Sequence, residues 1–163
     1  MGAASTIRER LSWDVTPEVY SRIRHLWIAH SKAEDGRDLD GLVATLSEDC
    51  MYEIVPTGER WEGHAGARSF YTSFLSAFPD VRFDLKDIVI GPQGVIEIAT
   101  MRGTQRGAWQ GQAATGRTAE LDIVIHFPWD PRTDRFAGER IYYDSGALTR
   151  QLAGGGGETP LRR

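Results

Sequence analysis

The chain has 163 residues, of which 40% are apolar and 26% are charged, a composition that predicts one globular domain with a single core. A net charge of −4 disfavours a nucleic-acid-binding surface, and 5 Trp, 5 Tyr and 6 Phe are not typical of a disordered chain. The single cysteine, Cys50, excludes an intramolecular disulfide and a zinc site built from several thiolates, which favours a cytoplasmic location.

The N-terminal part of the chain predicts two helices. Residues 1–15 have the composition of a loose arm. Residues 16–18 (Thr-Pro-Glu) provide a cap, a proline for the first helical position and an acid for the first turn. Apolar residues at helical spacing extend this helix to about Lys32, and Asp38 is expected to cap a second, shorter helix.

The middle of the chain predicts a strand and then a helix. Residues 50–55 have the composition of a strand that ends at a Pro-Thr-Gly turn, and residues 61–66 form a turn with two glycines. The clearest helical periodicity follows, and its apolar positions are Ala67, Phe70, Tyr71, Phe74, Leu75 and Phe78.

The C-terminal half alternates as strands do. Residues 81–85 and 88–90 have their apolar side chains on opposite parities, which predicts a bulge or bend near Lys86. A Gly-Pro-Gln-Gly hairpin turn comes next, and a short helix capped near Asp144 or Ser145 closes the domain. Between them, further strands are predicted at residues 95–106, 118–129 and 135–144.

This order of elements predicts an α+β fold. A curved antiparallel sheet would be covered on its concave face by about three helices, leaving an interior lined by aromatic residues and a few polar groups. The domain is expected to span residues 16–152, between the arm at 1–15 and a flexible, glycine-rich tail at 153–163.

Several motifs of known enzyme and membrane classes are absent from the sequence. It contains no phosphate-binding loop, no G-x-G-x-x-G, no H-E-x-x-H and no G-x-S-x-G. His25 and His30 are five positions apart, a poor spacing for sharing a metal, so no metal is expected. No apolar stretch is long enough to cross a membrane, and the N-terminus lacks the features of a secretory signal.

The end of the last predicted strand carries the first candidate for catalysis. Arg140, Tyr142 and Asp144 share one face, because strand side chains alternate. Asp144 has two interpretations. It caps the closing helix, or it lies at the rim or floor of an apolar cavity, where desolvation would raise its pKa and suit it to acid–base chemistry.

Two further candidates lie on the strand predicted at 118–129. Asp122 and His126 share a parity, and they would assist Asp144 if that face lines the cavity, or would have no such role if it faces solvent. His30 continues an apolar helical stripe, which is typical of a histidine in the core or at a pocket edge. Aromatic residues that could shape the cavity are Tyr52, Trp61, Phe74 and Trp109.

Three ordered stretches share a pattern with a known family. They are Trp61-Glu62-Gly63-His64 with residues 70–71 and 77–80, residues 103–111 with 114–117 (Gly-Thr-Gln-Arg-Gly-Ala-Trp-Gln-Gly and Ala-Thr-Gly-Arg), and Tyr142-Tyr143-Asp144 with Leu148 and residues 151–152. Taken together and in this order, they resemble the SnoaL-like polyketide cyclase family of the NTF2-like superfamily.

The resemblance implies a cone-shaped α+β barrel, usually dimeric, with a deep apolar pocket. Cyclases of this family close a polyketide ring by intramolecular aldol condensation without a cofactor, and their key aspartate corresponds to Asp144. Gln105, Tyr142 and Arg140 are candidate donors to an enolate. Many family members have histidine where this chain has Gln105, so a titrating group is replaced by an amide.

We therefore expect a cofactor-independent cyclase or isomerase that acts on a hydrophobic, carbonyl-containing small molecule. The family resemblance also implies that the protein is a homodimer. The alternatives are a ligand-binding protein without catalysis, a module that dimerises through the exposed face of its sheet, and an epoxide-hydrolase-like enzyme. The last would use Asp122 and Asp144 beside Arg140.

Overall fold

One six-stranded sheet organises residues 6–154, which are the residues that this computed structural model describes. The elements in chain order are α1 (Ile7–Leu11), α2 (Pro17–Asp35), α3 (Leu39–Ala44), β1 (Leu46–Ile54), β2 (Glu59–Glu62), α4 (Gly63–Ala77), β3 (Arg82–Gly91), β4 (Gly94–Thr104), β5 (Thr118–Asp130), β6 (Arg135–Tyr143) and α5 (Ser145–Ala153).

The strands lie in the order β2-β1-β6-β5-β4-β3. Neighbouring strands are antiparallel except β1 and β6, which are parallel. The predicted α+β fold is thus confirmed, but the sheet is mixed where a fully antiparallel one was expected. Parallel pairing needs a long crossover, and here α4 and four strands separate β1 from β6 in the chain.

The helices begin as their capping residues predict. The Thr16 side chain accepts a hydrogen bond from the Val19 N–H at 3.2 Å, and α2 continues three residues beyond the expected Lys32. In α3, the Asp38 carboxylate accepts a hydrogen bond from the Gly41 N–H at 3.0 Å. Strand β2 was not predicted: its last two residues lie in the turn predicted at residues 61–66, and it pairs only with β1.

The predicted bulge in β3 is confirmed. Leu85 pairs with Ala99 and Asp87 with Ile98, so Lys86 is the extra residue. The hairpin that joins β3 to β4 is also confirmed.

A second bulge, in β6, positions the candidate site. His126 pairs with Arg140 and Trp129 with Phe136, so β6 advances four residues where β5 advances three. Gly138 lies in this bulge with φ +111°, and a Cβ atom there would overlap the backbone of β1. Before the bulge, Phe136 faces the interior of the domain. After the bulge, Glu139 and every second residue that follows it face the interior.

The core lies between the concave face of the sheet and α2, α4 and α5. Ile23, Phe70 and Leu148 are buried contributions from these three helices. Helix α1 lies within the predicted arm. The tail was predicted to begin at residue 153, and its residues from 155 onward lie outside the described part of the chain. Across residues 6–154, no helix is both long enough and apolar enough to span a membrane.

Candidate active site

A small apolar cavity lies at the centre of the cone, with a volume of about 30 Å³. Its lining comes from the concave face of the sheet and from α2, α4, α5 and the loop between β4 and β5. The polar side chains of the lining are those of Glu34, Glu139 and Tyr143. The rest of the lining is mainly apolar and aromatic, and it includes Phe70, Phe74, Phe78, Phe83, Met101 and Trp109.

Glu139 forms the centre of a buried polar cluster at this cavity. Tyr71 donates a hydrogen bond to Glu139 Oε1 at 2.6 Å, and Tyr52 donates another at 2.9 Å. The Nε2 atom of His30 lies 2.9 Å from the same oxygen. All four side chains are almost fully buried. These contacts concentrate on one oxygen of the carboxyl group and hold the group in one orientation.

The protonation of His30 follows from its neighbours. Thr45 donates its hydroxyl proton to the Leu42 carbonyl at 2.7 Å, so its oxygen accepts from His30 Nδ1 at 2.6 Å. The Nδ1 atom therefore carries a proton. Two lone pairs would repel each other at 2.9 Å, so a second proton lies between His30 Nε2 and Glu139 Oε1. This shared proton compensates the buried charge of the carboxylate.

The two tyrosines remain hydrogen-bond donors over the ordinary pH range. Burial, followed by the nearby charge of Glu139, raises the pKa of Tyr52 and of Tyr71 well above the usual value of 10. The second oxygen of Glu139, Oε2, accepts no hydrogen bond from the side chains and backbone of residues 6–154. It is therefore the carboxylate atom available to a ligand in the cavity.

The charge of Glu139 also affects the pKa of two more carboxyl groups, those of Glu34 and Glu97. Burial, then the charges of Glu139 and Glu97, raises the pKa of Glu34 well above its ordinary value of 4.5. Burial, then the charge of Glu139, raises the pKa of Glu97 to about 7. This shift favours the protonated, neutral form of Glu34, beside a carboxyl group that is held by three partners. Two carboxyl groups in different environments at one cavity are a common basis of acid–base catalysis.

Four elements bring these residues together. His30 and Glu34 are four positions apart on α2 and therefore share a face. Tyr71 comes from α4, and Tyr52 on β1 pairs directly with Glu139 on β6.

Four of the residues selected from the sequence belong to this site. Trp109 and Phe74 line the cavity, and His30 and Tyr52 reach it through Glu139. A fifth, Trp61, packs against Phe70 with their ring centroids 5.1 Å apart, and Phe70 itself lines the cavity.

Asp144 lies outside the cavity. Its side chain is 68% exposed, accepts a hydrogen bond from the Ala147 N–H at 2.8 Å and lies 3.8 Å from Arg150. Helix capping, the first of its two interpretations, is thus observed.

Other selected residues lie on the outer face of the sheet. Asp122 pairs with Lys86 at 2.6 Å, and Arg140 lies 4.0 Å from Glu53. Tyr142 is 42% exposed. Burial, then the charges of Arg140 and Arg10, lowers the pKa of His126 to about 4. The three groups of the epoxide-hydrolase alternative, Asp122, Asp144 and Arg140, therefore each have a different partner.

Gln105 is fully buried, but it holds a loop rather than lining the cavity. Its backbone N–H donates to the Arg117 carbonyl at 2.8 Å, and its side-chain oxygen accepts from Thr115 at 2.8 Å. These bonds fix the base of the loop at residues 105–117, between β4 and β5.

Sequence reasoning missed Glu139, Glu34 and Tyr71. The i, i+4 spacing of His30 and Glu34 on a helix with an apolar face was a usable signal for two of the polar groups. No such signal existed for Glu139, because the bulge at Gly138 reverses the parity of the strand. Within the described residues, no three His, Cys, Asp or Glu side chains are grouped to hold a metal ion.

The fold occurs in solved structures of other proteins. A candidate SnoaL-like polyketide cyclase from Jannaschia sp. CCS1 has a TM-score of 0.75 at 16% identity and covers 87% of this chain and 98% of its own. AclR, a candidate hydroxylase from Streptomyces galilaeus, has a TM-score of 0.67 at 19% identity and covers 87% of both chains. A candidate polyketide cyclase from Xanthomonas campestris pv. campestris has a TM-score of 0.67 at 23% identity, covering 82% of this chain and 98% of its own.

At these identities the likeness establishes the fold and not the activity. A search of curated proteins finds no match. The sequence profile described as SnoaL-like polyketide cyclase matches residues 18–152, a range that contains every side chain of the cavity. The chain therefore belongs to the SnoaL-like polyketide cyclase family.

Proposed function

We propose that this chain is a cofactor-independent acid–base enzyme that acts on a hydrophobic, carbonyl-containing small molecule, with Glu139 as its base. The observation that carries the proposal is a carboxylate held through one oxygen by His30, Tyr52 and Tyr71, at the edge of an apolar cavity. Reactions of the cyclase or isomerase type begin with removal of a proton next to a carbonyl group, which such a carboxylate can perform.

The proposed step uses both carboxyl groups of the cavity. Glu139 Oε2 removes the proton from the carbon next to the carbonyl and becomes a carboxylic acid. The electron pair of the broken C–H bond forms an enolate, and Glu34, whose raised pKa favours its protonated form, donates a hydrogen bond to the enolate oxygen. In an aldol reaction the enolate carbon then attacks a second carbonyl, and the new alkoxide takes a proton from one of the two acids.

This assignment differs from the one that the family resemblance implies. Asp144 is solvent-exposed and already caps α5, so water screens its charge and desolvation does not favour its use as a base. Glu139 is buried, oriented and next to the cavity. We therefore assign the base to Glu139 and treat Asp144 as the competing candidate.

The test is proton exchange on a simple probe. The ketone 2-tetralone is apolar and has acidic protons next to its carbonyl, and their replacement in D₂O is followed by NMR. We expect the wild type to accelerate this exchange and Glu139→Gln to reduce it by about a hundredfold or more, as removal of a general base does.

Asp144→Asn is the matched control, because it also replaces a carboxylate by an amide at the end of β6. It should retain the exchange activity. Loss of exchange in Asp144→Asn with retention in Glu139→Gln would assign the base to Asp144 instead. If the wild type binds 2-tetralone without catalysing exchange, the chain is a ligand-binding protein of the same family.

A dimer is the second proposal for this molecule. Val89 and Tyr142 are 56% and 42% exposed on the outer face of the sheet, where Ile96 and Val124 are their part-buried cross-strand neighbours. We infer that a second copy covers this face. Sedimentation should then report a dimer for the wild type and a monomer for Val89→Asp, and a monomeric wild type would contradict it.

A further inference from the structure

We propose that the indole of Trp109 occupies the place of the ligand's ring system, so that Trp109 determines which molecules enter the cavity. The inference rests on the proposed function and names the class of ligand: a flat, uncharged, fused two-ring compound with one polar oxygen.

A volume of about 30 Å³ is enough for about one water molecule. Pockets for small organic ligands commonly have about 300–1,000 Å³. The cavity must therefore enlarge before an organic carbonyl compound binds, and one of the side chains that line it must move.

Trp109 is the lining residue whose backbone is least tied to the core. It lies near the tip of the loop at residues 105–117, where its N–H donates to the Gln112 carbonyl at 3.0 Å and forms an isolated bridge. The other aromatic lining residues belong to α4, to the sheet or to the turn that follows α4. Gln110 and Gly111, which follow Trp109, have φ values of +47° and +77° in a tight turn.

The base of this loop is fixed, and its tip is held by a side-chain latch. Gln110 donates to Glu59 Oε2 at 2.6 Å and accepts from the Tyr143 hydroxyl at 3.0 Å. Glu59 lies on β2 and Tyr143 at the end of β6, so Gln110 joins the loop tip to the rim of the cone. Gln110 also donates to the Thr57 hydroxyl at 3.4 Å. Breaking these three side-chain contacts would release the tip without disturbing the backbone pairing at the base.

The packing of the indole indicates the shape of its replacement. The rings of Phe70, Phe74 and Phe78 meet Trp109 in edge-to-face geometry, with centroid distances of 6.2, 5.4 and 6.2 Å. Such contacts favour a flat aromatic partner, and a ligand of similar dimensions would regain them when the indole leaves. An apolar lining with only a few polar side chains disfavours a charged ligand.

The test measures binding of 2-naphthol, a flat two-ring probe with one hydroxyl, by its own fluorescence. If the closed loop is the dominant state of the wild type, removal of the indole by Trp109→Ala should increase affinity about tenfold or more, because binding no longer competes with the closed state. Gln110→Ala keeps the indole and weakens the latch, so the association rate should rise while the ligand's preference for two rings is retained.

Trp13→Ala is the control, since Trp13 lies outside the cavity, and it should bind as the wild type does. Trp109→Phe changes the packing less, so its affinity for 2-naphthol should lie between those of the wild type and Trp109→Ala. Equal affinities of wild type and both Trp109 variants, or an unchanged association rate in Gln110→Ala, would overturn the proposal. So would a ligand complex in which the indole still contacts the three phenylalanines.

The binding assay is independent of catalysis. Glu139→Gln combined with Trp109→Ala should still bind 2-naphthol more tightly than Glu139→Gln alone. If exchange of 2-tetralone is absent in every variant but these affinities change as expected, the gating role stands and the acid–base assignment fails. If exchange occurs as expected but the affinities do not change, the gating role alone is wrong.

Discussion

Burial of Glu97 makes the stability of this protein depend on pH, and Glu97→Gln is the change that reveals it. Glu97 is 7% exposed, and burial followed by the charge of Glu139 raises its pKa from 4.5 to about 7. A difference of this size between the folded and unfolded states corresponds to about 3 kcal/mol.

The direction of this pH dependence follows from which state, folded or unfolded, binds the Glu97 proton more tightly. Between pH 4.5 and about 7 the folded state binds the Glu97 proton more tightly than the unfolded state, so the free energy of unfolding decreases as pH rises through this window. Below pH 4.5 both states are protonated, and this contribution to the pH dependence vanishes. Glutamine does not ionise, so Glu97→Gln should lack this part of the decrease.

Urea unfolding of wild type and Glu97→Gln at several pH values between 4.5 and 8.5 measures the effect. The difference in free energy of unfolding between the two proteins should shift by about 3 kcal/mol in favour of the variant over this range. Glu62→Gln is the matched control, because Glu62 is exposed, and its curve should run parallel to that of the wild type. A parallel curve for Glu97→Gln would refute burial of this carboxyl group as a source of the pH dependence.

Three further predictions concern the buried cluster, the bulge and the outer face. Thr45→Val leaves the Nδ1–H of the buried histidine without an acceptor, which should cost about 1–3 kcal/mol in urea unfolding and reduce 2-tetralone exchange, whereas Thr45→Ser should restore both. Gly138→Ala should reduce the melting temperature far more than Gly58→Ala, because both glycines have positive φ but only at Gly138 would a Cβ atom overlap neighbouring backbone; equal losses would contradict this reading. Burial and the charges of Arg140 and Arg10 lower the pKa of His126 to about 4, so the contribution of His126 to stability falls as pH drops from 6.5 towards 4, opposite in direction to that of Glu97; in the same titration, the free energy of unfolding of His126→Gln relative to the wild type should therefore rise over this range.

The sequence was a good guide where local chemistry determines the structure. Thr16 and Pro17 start α2, and the change of parity around Lys86 marks the bulge in β3. Asp144 was correctly expected as one possible cap of α5. These features depend on residues within one turn or one strand, which a single sequence displays directly.

The candidate site depends on information that is not local. Period-2 alternation correctly grouped Arg140, Tyr142 and Asp144, but it could not show that the bulge at Gly138 turns this group outward and Glu139 inward. His30 and Glu139 are separated by 109 positions, so their contact follows only from the complete fold. The physical reason is the same in both cases: one backbone irregularity and one long-range pairing determine which side chains meet.

The position of β6 in the sheet has a consequence for the order of folding. This strand, the last in the chain, lies between β1 and β5 in the middle of the sheet. Until it is inserted, the β2-β1 hairpin and the β5-β4-β3 meander have no hydrogen-bonded connection, and closing so long a loop is entropically slow. Glu139 therefore meets Tyr52 and Tyr71 only once β6 has joined β1, and we expect this carboxyl group to become buried in the same step that closes the cavity around it.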